Sequence, residues 1–304
     1  MAACSELIPA ALYALSPEAE VNASLPDAAT ASVWARTPFY SGYRTPARFF
    51  DSRRFTWVSD GQNATSQPPQ ATAESPLIEL VTSPNNPDGH IRTKSVQGEH
   101  VRTLMDHAYL WPHFTAIGQP VAYSNSTLAI FTLSKMTGHA STRIGWAITP
   151  DLRVADRLRE YIQVSGSSPR ENQLRAVAAL EHVVAHNGEI FAYARRLMVR
   201  RWERLEGIFA GQTLYQLAPR DPAAYDSFSG TEGYAASPAY AWITLTNSTQ
   251  HQGDAMVAMA SVGIKGRGGP KFGADKCHVR LELLMREETF ELLAVKLERL
   301  LHPA

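Results

Sequence analysis

Short runs of consecutive apolar residues punctuate the front of the chain. Ile78-Glu79-Leu80-Val81-Thr82 and Leu128-Ala129-Ile130-Phe131-Thr132 have the pattern of strands buried on both faces, and each ends in a polar, turn-forming or small-residue cluster. Residues that carry chemistry are therefore expected just past strand ends. From Asn22 to Pro76 the chain is rich in Ser, Thr, Ala, Pro and aromatic residues, which predicts a loop-heavy region with short strands such as Phe55-Thr56-Trp57-Val58. Arg170 to Leu205 is rich in Ala, Leu, Arg and Glu, contains no Pro and is interrupted only by Gly188, so one or two helices are predicted there. Beyond Gly211 lie strand-like runs at Tyr240–Leu245 and His278–Leu283, then an amphipathic run from Glu287 to Leu301. The pattern is an α/β front with an α+β tail. It predicts a large domain over 1–169, a connecting helical segment over 170–210 and a small C-terminal domain over 211–304.

Composition narrows the function without choosing it. The 304 residues are 44% hydrophobic and 19% charged, a globular mixture able to bury a sizeable core. Lys plus Arg (29) balance Asp plus Glu (29), so no net field favours nucleic acid or an anionic membrane, and small-molecule partners are expected. Only Cys4 and Cys277 are present, without a CxxC pair; this excludes a disulfide framework, argues against structural zinc and fits a reducing, cytoplasmic setting. The apolar stretch from Leu7 to Leu15 follows Glu6 rather than a basic segment and is too short to span a bilayer, so it is read as a helix of the fold.

Three local clusters carry candidate chemistry. Ser83-Pro84-Asn85-Asn86-Pro87-Asp88-Gly89 follows an apolar strand, and by itself is sufficiently explained as a tight turn. Asp106-His107-Ala108-Tyr109 puts an acid and a phenol at an irregular strand end, where a surface acid beside a packed tyrosine is the plainer account. Thr132-Leu133-Ser134-Lys135, followed by Gly138, Arg143 and Gly145-Trp146, is less easily dismissed. Desolvating an ammonium at the end of an apolar strand is costly unless the amine is paired or chemically consumed, and a Schiff base consumes it. Thr132 and Ser134 add hydroxyls, and Arg143, eight residues on, can return a guanidinium to the same place for a phosphate.

Taken in order, SPNNPDG, DHAY, TLSKMTGHASTRIGW and the later YAW and HVRLEL resemble fold-type-I pyridoxal-phosphate enzymes. The resemblance is to the alliinase and plant tryptophan aminotransferase group, where text such as LVTSPNNPDG, AYYWPHYT and SKITGHAGSRIGW is characteristic. The corresponding stretches are Leu80 to Gly89, Ala108 to Thr115 and Ser134 to Trp146, so the likeness spans nearly the whole chain. It implies an α/β fold: a large domain with a mostly parallel sheet flanked by helices, and a smaller α+β C-terminal domain. It also implies pyridoxal 5'-phosphate as cofactor, bound to Lys135, which then moves the substrate α-proton. Asp106 would pair with the protonated pyridine nitrogen, Asn86 and Tyr109 would hydrogen-bond the ring hydroxyl oxygen, and Thr132, Ser134 and Arg143 would hold the phosphate. Tyr40 would place an aromatic ring near the cofactor, and Arg280 would grip the substrate carboxylate with its two-pronged guanidinium.

One stretch departs from the family. A phosphate-binding loop of the form G-S-T-Q-L is represented only by Ala3-Cys4-Ser5-Glu6-Leu7, at the very start, so the resemblance implies a chain shortened at its front. Losing backbone amides at a helix start would weaken phosphate binding by roughly several kcal/mol. The activity implied is transamination of an L-amino acid, aromatic and tryptophan-like, with a 2-oxo acid such as pyruvate as acceptor, in a homodimer. Two other readings stay open: a carbon–sulfur lyase of alliinase type, which uses the same residues, and a non-catalytic remnant of the fold. The two cysteines and the absence of a secretory signal favour the transaminase over the lyase.

Overall fold

A computed structural model describes residues 4–17, 29–49, 54–59, 67–119, 122–246 and 250–302. The chain forms two compact units, one of Met1–Ser83, Arg92–Ala108 and Pro120–Asn187, the other of Pro84–Ile91, Tyr109–Gln119 and Gly188–Ala304.

The first unit is built on a six-stranded sheet of β1 (Ala31–Trp34), β2 (Phe55–Trp57), β3 (Leu77–Thr82), β4 (Val101–Asp106), β5 (Thr127–Thr132) and β6 (Gly145–Ile148), in the order β2-β1-β3-β4-β5-β6. The pairings are parallel except that of β6 with β5. Every residue of β3 is buried, as expected of a largely apolar strand covered on both faces. Helices α1 (Cys4–Leu15), α2 (Arg44–Phe49), α3 (Leu133–Met136), α4 (Leu152–Ser165) and α5 (Arg170–Ala185) complete the unit. Leu7, Ile8 and Leu12 of α1 and Val154 and Leu158 of α4 close over Val33, Ile78, Leu80, Leu104, Leu128 and Ile130. The Ala3–Leu7 stretch, apart from Ala3, which lies outside the described residues, forms the beginning of α1.

The second unit holds α6 (Glu189–Phe209), α7 (Ala255–Ser261) and α8 (Glu287–Leu301) with β7 (Tyr215–Leu217), β8 (Ala224–Asp226), β9 (Thr231–Tyr234), β10 (Tyr240–Leu245), β11 (Arg267–Gly268) and β12 (His278–Glu282). Four strands make an antiparallel sheet in the order β11-β12-β10-β7, and β8 pairs with β9. The long helical region expected from Arg170 onward is two helices. The break is at Gly188, whose φ of +71° is left-handed and where an added Cβ would crowd the Phe191 ring at 3.1 Å. Buried Arg201 of α6 donates to the Leu283 carbonyl at 2.6 Å and to Glu287 at 2.7 Å, tying α6 to the start of α8. No described helix is long and apolar enough to cross a membrane.

Glu79 is the polar exception inside β3. Its buried carboxylate accepts from the Ser95 and Val96 amides and from the Ser95 hydroxyl, pinning the segment that leads into β4. Glu79→Ala would leave three donors without that acceptor. It should lower the free energy of urea unfolding by about 2–4 kcal/mol, with the midpoint moving and the slope unchanged; an unaltered midpoint would show that water replaces the carboxylate without cost.

Candidate active site

Strand register determines what meets at the ends of the first unit's sheet. Thr82 is opposite Asp106 across β3 and β4, and Asp106 is opposite Ile130 across β4 and β5, two residues before Thr132. The C-terminal ends of three parallel strands therefore lie side by side, the usual place for a ligand in an open α/β sheet.

Asp106 is only 2% exposed. Its Oδ1 accepts from the Ala108 amide at 3.0 Å and its Oδ2 from the Tyr43 hydroxyl, also at 3.0 Å. Burial raises its pKa from 3.8 to about 6, with those two hydrogen bonds acting in the opposite direction. Tyr43, fully buried, also shares a 2.6 Å bond with the Thr82 hydroxyl, so one phenol bridges the ends of β3 and β4. The Tyr40 ring packs edge-on against it, with centroids 5.4 Å apart. His107 is buried with its ring Nδ1 3.0 Å from the Ser83 carbonyl oxygen and its pKa lowered, chiefly by desolvation.

At the end of β5 the chain turns directly into the short helix α3. Thr132 is its N-cap: the hydroxyl accepts from the Ser134 amide at 3.2 Å and donates to the Ile144 carbonyl at 3.4 Å. That hydroxyl thus holds the turn carrying Ser134 and Lys135, both half-buried. Arg143 is exposed, with left-handed backbone (φ +52°), and its carbonyl accepts from the buried Ser168 hydroxyl at 3.2 Å. A non-glycine residue held in this conformation is strained, and such strain concentrates at functional sites.

The second unit carries a separate buried cluster. The Pro84–Gly89 segment is a closed turn: the Asn85 amide group donates to Asp88 at 2.7 Å, and Gly89 (φ +79°) leaves no room for a Cβ, which would lie 2.4 Å from Pro238. This turn presents Asn86, whose Oδ1 accepts from Arg280 at 2.8 Å and whose Nδ2 donates to the Tyr109 hydroxyl at 3.3 Å. Tyr109 and Tyr240 share a 2.7 Å hydroxyl contact. Arg280 is buried, its guanidinium 3.9 Å over the Tyr240 ring, and its Nε has no hydrogen-bond partner among the described residues. Burial lowers its pKa, with the Tyr240 and Tyr109 phenols and Glu282 opposing and Arg267 adding to the effect. An unmatched buried N–H is costly, and a bound carboxylate would satisfy it.

The structure thus groups Tyr40 and Asp106 around Tyr43, places Thr132, Ser134 and Lys135 on one turn, and joins Asn86, Tyr109 and Arg280 in one hydrogen-bonded chain. Sequence reasoning missed Tyr43 and Tyr240. Tyr43 acts on a carboxylate 63 positions away and no local pattern marks it, whereas Tyr240 lay inside a motif that had already been noticed. No cluster of three or more potential metal ligands occurs among the described residues.

Residues 2–301 match the family model described as Allinase, Alliinase_C. Tryptophan aminotransferase-related protein 4 of Arabidopsis thaliana is 32% identical over 300 residues, covering 98% of this chain and 62% of the relative. Alliin lyase 2 of Allium sativum is 28% identical over 300 residues, covering 95% and 60%. The chain therefore spans about three-fifths of the length of these relatives. Among solved structures, the aspartate aminotransferase of Thermus thermophilus with maleate superposes with a TM-score of 0.68 at 18% identity, covering 99% of this chain and 75% of that one. The Escherichia coli protein with a methionine aminotransferase function gives 0.67 at 14%, covering 98% and 76%. The fold is that of fold-type-I aminotransferases, α/β with a mostly parallel sheet.

The raised pKa of Asp106 has a measurable consequence in cofactor-free protein. Between its ordinary value of 3.8 and about 6 the folded state binds the proton more tightly than the unfolded one, so this carboxyl makes stability fall as pH rises through that window. Asp106→Asn, which can still accept from Ala108 and donate to the Tyr43 oxygen, should remove that slope. By pH 7 the variant should gain up to ~3 kcal/mol on the wild type relative to pH 4, read from urea unfolding at both pH values; parallel pH curves for the two proteins would refute the assignment.

Proposed function

This chain belongs to the Alliinase_C family, and on that premise we propose that it is a pyridoxal-phosphate-dependent transaminase. The proposed donor is an aromatic, tryptophan-like L-amino acid and the proposed acceptor a 2-oxo acid such as pyruvate. The observation that carries the proposal is the pairing of a buried carboxylate at the end of β4 with a lysine on the turn that ends β5, the neighbouring strand. Asp106 fits the cofactor's pyridine nitrogen because a buried carboxylate with a raised pKa is stabilised in its ionised form by a cation placed beside it.

When bound, the cofactor supplies an aldehyde that captures amines and a ring that accepts the electron pair left by a departing α-proton. Lys135 Nζ is the amine that carries it, and once free serves as the base and acid that lifts and returns the α-proton. Asp106, held by Tyr43 and Ala108, keeps a proton on the ring nitrogen. Thr132, Ser134 and Arg143 would hold the phosphate, with Thr132 also capping the turn that carries Ser134. Tyr40 packs beside the ring. Asn86 and Tyr109 would hydrogen-bond the ring hydroxyl oxygen, and Arg280 would orient the substrate through its carboxylate, a role that answers its unmatched Nε. The proposed oligomer is a homodimer.

The same residues serve elimination at the β-carbon, and the 28% identity to an alliin lyase keeps that reading in view. Products decide it. Supplied with L-tryptophan, pyruvate and cofactor, a transaminase yields the indolic oxo acid and alanine; supplied with an S-alkyl-cysteine sulfoxide, a lyase releases the alkylsulfenic acid and, after water hydrolyses the remaining enamine, pyruvate and ammonia.

Borohydride treatment with pyridoxal phosphate, followed by peptide mass spectrometry, should place the fixed cofactor on Lys135. Lys135→Ala should lose both the label and turnover. Specific label on another lysine would overturn the assignment, and no label on wild-type protein would leave a non-catalytic remnant as the reading.

Arg280→Lys should weaken tryptophan and oxo acid roughly ten- to a hundredfold, because a point charge cannot reproduce the planar fork, with cofactor uptake unchanged. A lowered melting temperature with unaltered substrate affinity would make Arg280 a purely structural strand residue.

A further inference from the structure

We propose that His182 and His186, at the C-terminal end of α5, form a two-imidazole site for a divalent first-row transition metal, copper(II) most tightly and nickel(II) or zinc(II) less so. Both residues belong to the first unit, and neither is among those assigned to the cofactor or the substrate.

Residues four apart on an α-helix share one face, so His182-Val183-Val184-Ala185-His186 sets two imidazoles one above the other. Their ring centroids are 4.0 Å apart and the ring planes are inclined by 34°. Two nitrogens bound to one such ion at about 2.0–2.1 Å lie roughly 2.9–3.4 Å from each other in right-angled or tetrahedral geometry, a separation that rings this close reach by small rotations. Both histidines are exposed, whereas Val183 between them is buried. Ala178 and Ala179, one turn earlier on that face, carry only methyl groups and leave the rings open to solvent.

Hydrogen bonding selects the ligand atom. His186 Nδ1 is 2.8 Å from the His182 carbonyl oxygen. A carbonyl only accepts, so Nδ1 carries the hydrogen and the neutral ring keeps its lone pair on Nε2. Metal-binding histidines usually have this arrangement: the second ring nitrogen donates to a carbonyl or carboxylate, which fixes tautomer and orientation together. Capping of the helix end accounts for that bond by itself, but not for a second imidazole 4.0 Å away. The same carbonyl accepts from the His186 backbone amide at 3.1 Å, so ring and backbone of one ligand are both tied to the residue that carries the other.

The position gives the ion something to do. Asn187 (φ +50°) and Gly188 (φ +71°) are both left-handed, and α5 ends just before them. An ion held by both imidazoles ties the last turn of α5 together and slows its fraying. Only the folded helix brings the two nitrogens to one ion, so binding stabilises that turn. Water takes the remaining coordination positions.

Copper(II) titration of the whole chain, without an affinity tag or added cofactor and in a non-chelating buffer, tests the site by calorimetry and electron paramagnetic resonance. One ion per chain should bind with two in-plane imidazole nitrogens, and the amides of 183–187 should exchange more slowly with metal than without it. His182→Ala and His186→Ala should each weaken binding by at least about tenfold and abolish the slowing. Wild type that binds no copper below ~1 mM, or either variant that binds within about twofold of wild type, overturns the proposal. Where His186→Ala lowers the metal-free melting temperature, His182→Ala decides alone, because it leaves the His186 ring and the carbonyl that orients it in place.

Discussion

The parallel pairing of β3, β4 and β5 is the constraint on which the first unit depends. These strands lie in the middle of the sheet and are mostly buried, so their interiors must be apolar or internally matched. Glu79 meets that condition with three donors of its own. At the strand ends the condition is met differently. Among the described residues the Asp106 carboxylate accepts from an amide and a phenol, and burial still holds its ionised form at a cost that a cation beside it would relieve. An imperfectly satisfied carboxylate beside the end of the strand that leads to Lys135 is a poor device for stability.

The second unit handles charge differently. Arg280 is buried against aromatic faces and bonded to Asn86, with one N–H unmatched among the described residues. Asn86 in turn depends on a turn that only glycine can close at Gly89. The turn reading and the functional reading of the Pro84–Gly89 segment are therefore compatible: the turn is what makes Asn86 a fixed donor and acceptor. Fixed groups of this kind lose little freedom when a ligand arrives, which is how a site gains affinity and orientation together.

Fold and chemistry were legible from the chain to different depths. The runs at Ile78–Thr82 and Leu128–Thr132 became β3 and β5, the Tyr240 and His278 runs became β10 and β12, and the amphipathic tail became α8. Each rests on periodicity or on an unbroken apolar run, which is a local property. The ordered motifs are equally local, and together they point to the family that the chain matches over residues 2–301. Where local text has two readings, it was less complete. The Arg170–Leu205 region could hold one helix or two, and the left-handed backbone of Gly188 made it two.

Sequence by itself therefore determined several of the elements, the family and the residue types available for chemistry, because strand burial, helix period and motif spacing are all written within a few residues of each other. Tertiary structure alone decided the state of those residues. It buried Asp106 and raised its pKa, placed Tyr43 on it across 63 positions, and joined Tyr240 to Tyr109 across 131. It also assigned the Thr132 hydroxyl to capping α3. Desolvation and hydrogen bonding act through space, over a few ångströms, between groups that the order of residues leaves far apart.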